Sequence, residues 1–352
     1  MNALGTNTGD KRDLVYAVNP SGHRQSYLDF FATRFALTPV HGAMSVSLLI
    51  QMARARKLLF ATLDDDILWF IVIVILRTLL FKPTAALFLR PQKCFETGKR
   101  IYRLKRMLFQ TMRLIPKLQL ITITPFKADP RLEKVAHRGI LDPQYFDMLA
   151  GDVIRPPAKG DLAHELTAQA GGRVILCFPG SLTKIKGFSY LTKAMATAPD
   201  LQKTLFVVCA GSVEKGCEPL AETFQEAGGH LIDRRITDEE LENLYAAAHF
   251  IWCCYAPDYD QASGIFGRAM QWQVPAILRK HSTIESIAEQ FSAAHIAVEN
   301  TDPTALAETL RKLGNLREQQ PLNPSIAERM LSERLRFDEV IKDALEGRRA
   351  SN

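Results

Sequence analysis

The chain has 352 residues, long for one domain and sufficient for two that each bury a core. Apolar residues make up 47% and charged residues 23%, which excludes a disordered or low-complexity protein. The net charge of +6 is unevenly divided: residues 1–165 carry 24 Lys and Arg against 14 Asp and Glu, the remainder 20 against 24, so the basic half suits an anionic surface.

The first dozen residues are polar and show no signal-peptide pattern. The six cysteines, Cys94, Cys177, Cys209, Cys217, Cys253 and Cys254, contain no Cys-x-x-Cys and no His spacing suited to zinc. Three of them fall inside predicted buried strands, and a reduced cytoplasmic protein is the expectation.

Residues 13–19 read as an opening strand, followed by a turn with Gly22 and His23 and a helix over 25–35. Gly22 is equally explained as the residue that permits the turn. His41, in Pro39-Val40-His41-Gly42, is a second candidate histidine. Residues 45–56 read as a helix and 58–63 as the next strand. Asp64-Asp65-Asp66 then precede an unbroken apolar run from Ile67 to Leu76. A spanning helix needs about 20 such residues, and Arg77 ends this run. The expectation is a buried crossover helix ending near Phe81, with a monotopic dip into a leaflet as the alternative. The aspartates suit a helix N-terminus better than a bound Mg²⁺.

Residues 84–89 are a strand, and the helix after them carries Lys99, Arg100, Arg103, Lys105 and Arg106 interleaved with Ile101, Leu104 and Met107. A basic amphipathic helix of this kind fits the headgroup layer of an anionic membrane, or is a solvated basic face. No nucleic-acid reader motif accompanies the charge. Residues 119–124 are a further strand, ending at Pro125-Phe126, and 127–147 form a long polar loop. Arg155-Pro156-Pro157 with Lys159-Gly160 reads as an interdomain linker, because paired prolines keep the chain extended. The expected division is therefore 1–157, 158–325 and a terminal helix over 326–352.

The second part alternates strand and helix: strand 173–178, helix 188–198, strand 204–210, helix 220–227 and a short strand at 230–232. Such alternation predicts a parallel, doubly wound α/β sheet. Residues 236–275 continue it. Thr237 with Glu240 makes a capping box, and Phe250–Tyr255 is a short apolar run of strand formers. Ser263 and Gly264 open the next helix, where free backbone N–H groups favour an anion.

Two stretches here resemble family 4 of the retaining glycosyltransferases. Phe178-Pro179-Gly180-Ser181-Leu182-Thr183-Lys184-Ile185-Lys186-Gly187 is similar to that family's first strand and phosphate loop, which ends in Lys-Gly. The Pro257-x-x-Asp260 loop, the small-residue helix start, Ala269-Met270 and Val274-Pro275 are similar to its nucleotide-sugar site. The resemblance implies the GT-B fold: two Rossmann-like α/β domains facing each other across a cleft, with the last helix crossing back to the first domain. It implies a nucleoside-diphosphate sugar as donor, no metal or other cofactor, and a polysaccharide or lipid-linked glycan as acceptor. It also implies peripheral work at the cytoplasmic face of an anionic inner membrane.

Site roles follow from the same resemblance. Lys186 stands at the phosphate lysine, and the amides of Ser181, Ser263 and Gly264 join it on the donor phosphates. Ser181 replaces the family's arginine. Asp260 takes the first acid of the Glu-x7-Glu pair, which holds sugar hydroxyls, or else caps the Ser263 helix. Arg268 replaces the second acid and turns to the phosphates, or pairs with the acids at 238–242. Backbone near Arg235 and Ile236 meets the base edge, and Gly22 and His23 lie over donor and acceptor. After the strand at 119–124 the family often has a histidine, and this chain has Thr124-Pro125-Phe126. These losses admit a catalytically weakened partner protein as alternative, with a GT-B epimerase behind it.

Overall fold

The structure, a computed structural model, describes residues 13–19, 23–96, 98–150, 153–299, 302–313, 323 and 325–348, with backbone only at 23 and 24. The chain forms two compact units, Met1–Leu141 with Leu335–Asn352, and Asp142–Arg334. The division falls at Leu141, upstream of the expected linker, because the segment after Asp142 packs into the second unit.

The first unit has strands β1 (Leu14–Ala17), β2 (Thr38–His41), β3 (Leu58–Phe60), β4 (Thr84–Phe88), β5 (Leu118–Thr122) and β6 (Arg138–Gly139). They form one parallel sheet in the order β2-β1-β3-β4-β5-β6. Helix α1 (His23–Arg34) links β1 to β2, and α2 (Val46–Arg54), α3 (Ile67–Leu79) and α4 (Arg100–Met112) link the strands that follow. Those three crossovers all step the same way across the sheet, so right-handed connection puts α2, α3 and α4 on one face. Their inner residues Met52, Phe70, Ile73, Val74, Phe109 and Met112 share one core with Leu14, Tyr16, Leu58, Phe60, Ala86 and Phe88 of the strands.

Local sequence explains the helix starts. Ser45 caps α2 by accepting from the Leu48 amide at 3.2 Å, and Asp66 caps α3 by accepting from the Trp69 amide at 3.3 Å. Asp64 does something else. Its carboxylate accepts from the Leu89 and Arg90 amides at 2.8 and 3.1 Å and pairs with Lys105 at 3.1 Å. Arg77 is fully buried, and its guanidinium donates to Thr84 Oγ1 at 3.0 Å and to the carbonyls of Met52 (2.7 Å), Ala55 (2.9 Å) and Pro83. It closes the carbonyl end of α2 and ties that end to β4.

Two expectations change here. Helix α3 is not a buried crossover: one side is buried, but Leu68 is 77% and Leu79 71% exposed. Strand β2 was not predicted, since Pro39 and its alternating half-buried pattern mark it as an edge.

The second unit begins with a 3-10 turn at Pro143–Tyr145 and a hairpin, β7 (Leu149–Ala150) with β8 (Val153–Ile154). Strands β9 (Val174–Pro179), β10 (Leu205–Ala210), β11 (His230–Ile232), β12 (Phe250–Cys253), β13 (Ala276–Arg279) and β14 (His295–Val298) follow. They alternate with α5 (Asp161–Ala170), α6 (Phe188–Thr197), α7 (Glu218–Glu226), α8 (Asp238–Ala247), α9 (Gly264–Gln271), α10 (Thr283–Phe291) and α11 (Pro303–Leu313). All six pair in parallel in the order β11-β10-β9-β12-β13-β14, the doubly wound Rossmann order. Strand β14 escaped prediction because it is a short, half-exposed edge.

Helix α12 (Ser325–Glu346) begins in the second unit, and its end belongs to the first. There Phe337 meets Phe30 and Phe31 with ring centroids at 5.7 and 5.8 Å, and Arg34 pairs with Asp338. All six cysteines are buried free thiols, and burial pushes Cys177 and Cys253 up to about 12.

Candidate functional site

In the second unit the chain leaves β9 towards β10 and leaves β12 towards β13, so these two adjacent strands mark the topological switch point. Ligands of doubly wound sheets sit beyond the carboxyl ends of such a pair. The loops that leave those ends are 180–187 and 254–263.

The first loop is shaped by glycines. Gly180 has φ +94° and Gly187 φ +82°, backbone that favours glycine. A Cβ on Gly187 would lie 2.0 Å from the Cys254 carbonyl oxygen, so only glycine lets this turn pass under the end of β12. The Ala256 amide then donates to the Ile185 carbonyl at 2.9 Å and ties the two loops together. Thr183 Oγ1 accepts from the Lys186 amide at 3.1 Å and fixes the lysine's backbone.

The Lys-Gly turn delivers Lys186 to the switch point. The place a Cβ on Gly180 would take is 3.5 Å from Lys186 Nζ and 3.9 Å from Ile265 Cδ1, so the ammonium approaches the start of α9. Nζ has no hydrogen-bond or ion-pair partner among the described residues. Burial holds its pKa below the usual lysine value, and the neighbouring Cys253 opposes that shift. A half-buried cation with no carboxylate to offset it calls for an anion.

At α9 the donors differ from those expected. The Ser263 amide is not free: it donates to the Tyr145 hydroxyl at 3.3 Å. Ser263 Oγ caps the helix by accepting from the Phe266 amide at 3.3 Å, and it lies 2.9 Å from the Tyr255 hydroxyl. The amides of Gly264 and Ile265 are the ones with no acceptor among the described residues. Gln144 lies over the Cα of Gly264, since a Cβ there would come 1.6 Å from its Oε1.

Asp260 does not cap α9, which Ser263 caps. Its Oδ1 accepts from Arg279 Nη2 at 3.0 Å and from the Thr283 amide at 2.8 Å, at the start of α10. Arg268 does not reach the acids at 238–242. It pairs with Asp147 at 3.2 Å, and Glu242 pairs instead with Arg155. Burial raises the Asp147 carboxyl above its usual value, against the pull of Arg268 and Gln271. Ser181 is exposed and Ile236 half-buried beyond β11, and no printed bond joins either to Lys186. In the first unit, His23 is the first residue of α1, and Gly22 lies outside the described residues.

Around Gly180 the structure places Lys186 Nζ and the Ile265 side chain, two residues from Ser263 at the start of α9, and the sequence reading missed Gly180 and Ile265. It also adds the 144–148 segment. Gln271, buried on α9, donates to the Gln144 carbonyl at 3.0 Å and to Asp147 Oδ1 at 2.9 Å and accepts from the Met148 amide at 2.8 Å. Among the described residues, no group of three or more His, Cys, Asp or Glu is arranged to hold a metal ion.

No family model and no curated protein matches the chain by sequence. Solved structures do match it. HepE of Anabaena, determined with UDP, superposes with a TM-score of 0.67 at 12% identity over 94% of this chain and 100% of its own. A glycosyltransferase of Rickettsia africae gives 0.57 at 14% identity over 94% and 99%. WaaG, a glycosyltransferase involved in lipopolysaccharide biosynthesis, gives 0.53 at 13% identity over the same shares. The chain therefore has the GT-B fold of two Rossmann-like domains, and its resemblance to the family 4 glycosyltransferases holds at the level of fold.

Proposed function

We propose that the chain is a retaining glycosyltransferase that moves a sugar from a nucleoside-diphosphate sugar to a polysaccharide or lipid-linked glycan acceptor. The observation that carries this reading is Lys186, a half-buried ammonium that has no counter-ion among the described residues and lies on the side of Gly180 where Ile265 of α9 also packs. Negative charge grows on the donor pyrophosphate as the glycosidic bond breaks, and a fixed cation with oriented N–H groups stabilises that charge more than the ground state. The Gly264 and Ile265 amides and the positive end of α9 add to it. Asp260, oriented through one oxygen by Arg279 and the Thr283 amide, keeps its other oxygen for the hydroxyls of the donor sugar. The backbone at Ile236 takes the base edge, Ser181 supports the phosphates, and Gly22 and His23 serve the acceptor. Lys186 and the amides supply the neutralisation, so no metal or organic cofactor enters the proposal. The solved UDP complex of HepE supports the class of donor.

The reaction belongs at the cytoplasmic face of a membrane, which the basic first unit contacts. No described helix is long and apolar enough to cross one.

Calorimetric titration with UDP, GDP and ADP sugars tests the reading. One donor binds and is turned over, and Lys186→Ala weakens both binding and turnover by tenfold or more, the order expected for loss of one charge-assisted contact. Turnover unchanged in Lys186→Ala would refute the phosphate role. Silence with every donor favours a second reading, a catalytically weakened partner protein, which Ser181 and the engagement of Arg268 by Asp147 support.

A further inference from the structure

A helix lying on one face of a soluble domain turns polar residues to water. Helix α3 does not. Leu68, Val72, Ile75 and Leu79, spaced four, three and four residues apart, stack on its outer side, and all four are exposed. The inner side is filled by Phe70, Ile73, Val74 and Arg77. Just past the helix Phe81 is 79% exposed and sits at φ +54°, a conformation costly for an aromatic residue. Fold stability gives no reason for this side to be apolar.

The neighbouring helix supplies charge. Of the cations on α4, Lys105 turns inward, paired with Asp64 and 4.9 Å from the centre of the Phe88 ring. Arg100 and Arg103 stay exposed on the same side as Leu104 and Met107. With Lys99 and Arg106 they line a surface cavity of about 280 Å³, where Glu96 is the one acid among the lining residues. Because α3 and α4 cover the same sheet face over neighbouring strands, the apolar stripe and the cations lie on the same side of the first unit.

We propose that this side of the first unit docks on an anionic lipid bilayer. The outer stripe of α3 and Phe81 enter the boundary between headgroups and acyl chains, and Lys99, Arg100 and Arg103 meet lipid phosphates. Charge complementarity selects this occupant: cations beside an apolar stripe match a layer of phosphate over hydrocarbon. A second copy docked face to face would set the same cations against each other. Helix α3 lies flat on its sheet, so it wets one side and does not span. This inference specifies the membrane contact of the proposed function and is independent of the donor chemistry in the second unit.

The full chain is tested against vesicles of phosphatidylcholine alone and of phosphatidylcholine with phosphatidylglycerol. Trp69 is the reporter, half-exposed on α3, while Trp252 and Trp272 are buried. The chain sediments with the anionic vesicles and not with the neutral ones, and the tryptophan emission shifts to the blue. Leu68→Gln with Leu79→Gln abolishes the shift and weakens binding about tenfold or more. Arg100→Gln with Arg103→Gln weakens it about thirtyfold at low salt, at about 1 kcal/mol for each cation. Both double variants change exposed residues only and keep the wild-type circular dichroism and unfolding midpoint. Lys186→Ala binds vesicles like the wild type, so failure of the donor site and failure of docking are read separately. No vesicle binding, or binding that neither double variant weakens, overturns the proposal. So does a dimer that Leu68→Gln with Leu79→Gln dissociates without any vesicle binding.

Discussion

The hydroxyl of Tyr145 accepts the backbone N–H of Ser263 at 3.3 Å, joining the first turn of the second unit to the start of α9. Tyr145 is fully buried, and burial raises its phenol well above the usual value, so it stays neutral and keeps its role as acceptor. Tyr145→Phe leaves the Ser263 donor unsatisfied in the interior. We expect a loss of about 1–3 kcal/mol in unfolding free energy, read from the urea midpoint. Gly267→Ala costs more, because its Cβ would come 2.8 Å from the Tyr145 ring and 2.9 Å from the Gln144 carbonyl.

Two glycines with nearly the same φ, +82° at Gly187 and +87° at Gly216, separate crowding from conformational strain. Gly187→Ala, with Cβ 2.0 Å from the Cys254 carbonyl, destabilises by about 4 kcal/mol or more and displaces Lys186. Gly216→Ala, at φ +87° with nothing within 4 Å, costs only about 1–2 kcal/mol. Thermal denaturation of the two variants side by side checks the difference.

Lys186 gives the donor site a pH dependence with a definite sign. Its pKa in the folded chain lies below the usual 10.5, so between the two values the folded chain holds fewer protons than the unfolded one. Its contribution to stability therefore rises with pH through that window. A diphosphate favours the ammonium, so donor affinity falls as pH climbs into the same window, and binding there takes up protons. Calorimetry in two buffers of different ionisation enthalpy measures the uptake. Lys186→Arg, which stays charged, removes the dependence on pH.

Arg77→Met removes the guanidinium that satisfies the Met52, Ala55 and Pro83 carbonyls. Leaving them bare in the core costs about 3 kcal/mol or more. The side chain's volume is nearly conserved, so the loss measures hydrogen bonding, and chemical denaturation reports it directly.

How far the sequence revealed this molecule depended on burial. Strands β9, β10 and β12 are buried on both faces and appear as continuous apolar runs, so their place was plain. Edge strands β2 and β14 carry no such run and went unseen. The turn that carries Lys186 was legible because Lys-Gly ends a loop after a strand. The partners of Ser263 and Arg268 were not, because Tyr145 and Asp147 lie more than a hundred residues away in a stretch that reads as polar loop. Arg77 read as the break in an apolar run, since nothing local marks the carbonyls it serves. The outer side of α3 was obscured for the opposite reason: a helix apolar all round reads as buried, and only coordinates divide its two sides.

The sealed thiols make the molecule its own stability gauge. Cys94 lies in the first unit and the other five in the second, and none meets solvent in the folded chain. A thiol reagent can attack only after local opening, so its labelling rate at each position records how often that unit opens. Mass spectrometry of alkylated peptides then yields two opening free energies from one sample. A vesicle or a nucleotide that clamps one half would slow labelling there and leave the other half's rate untouched.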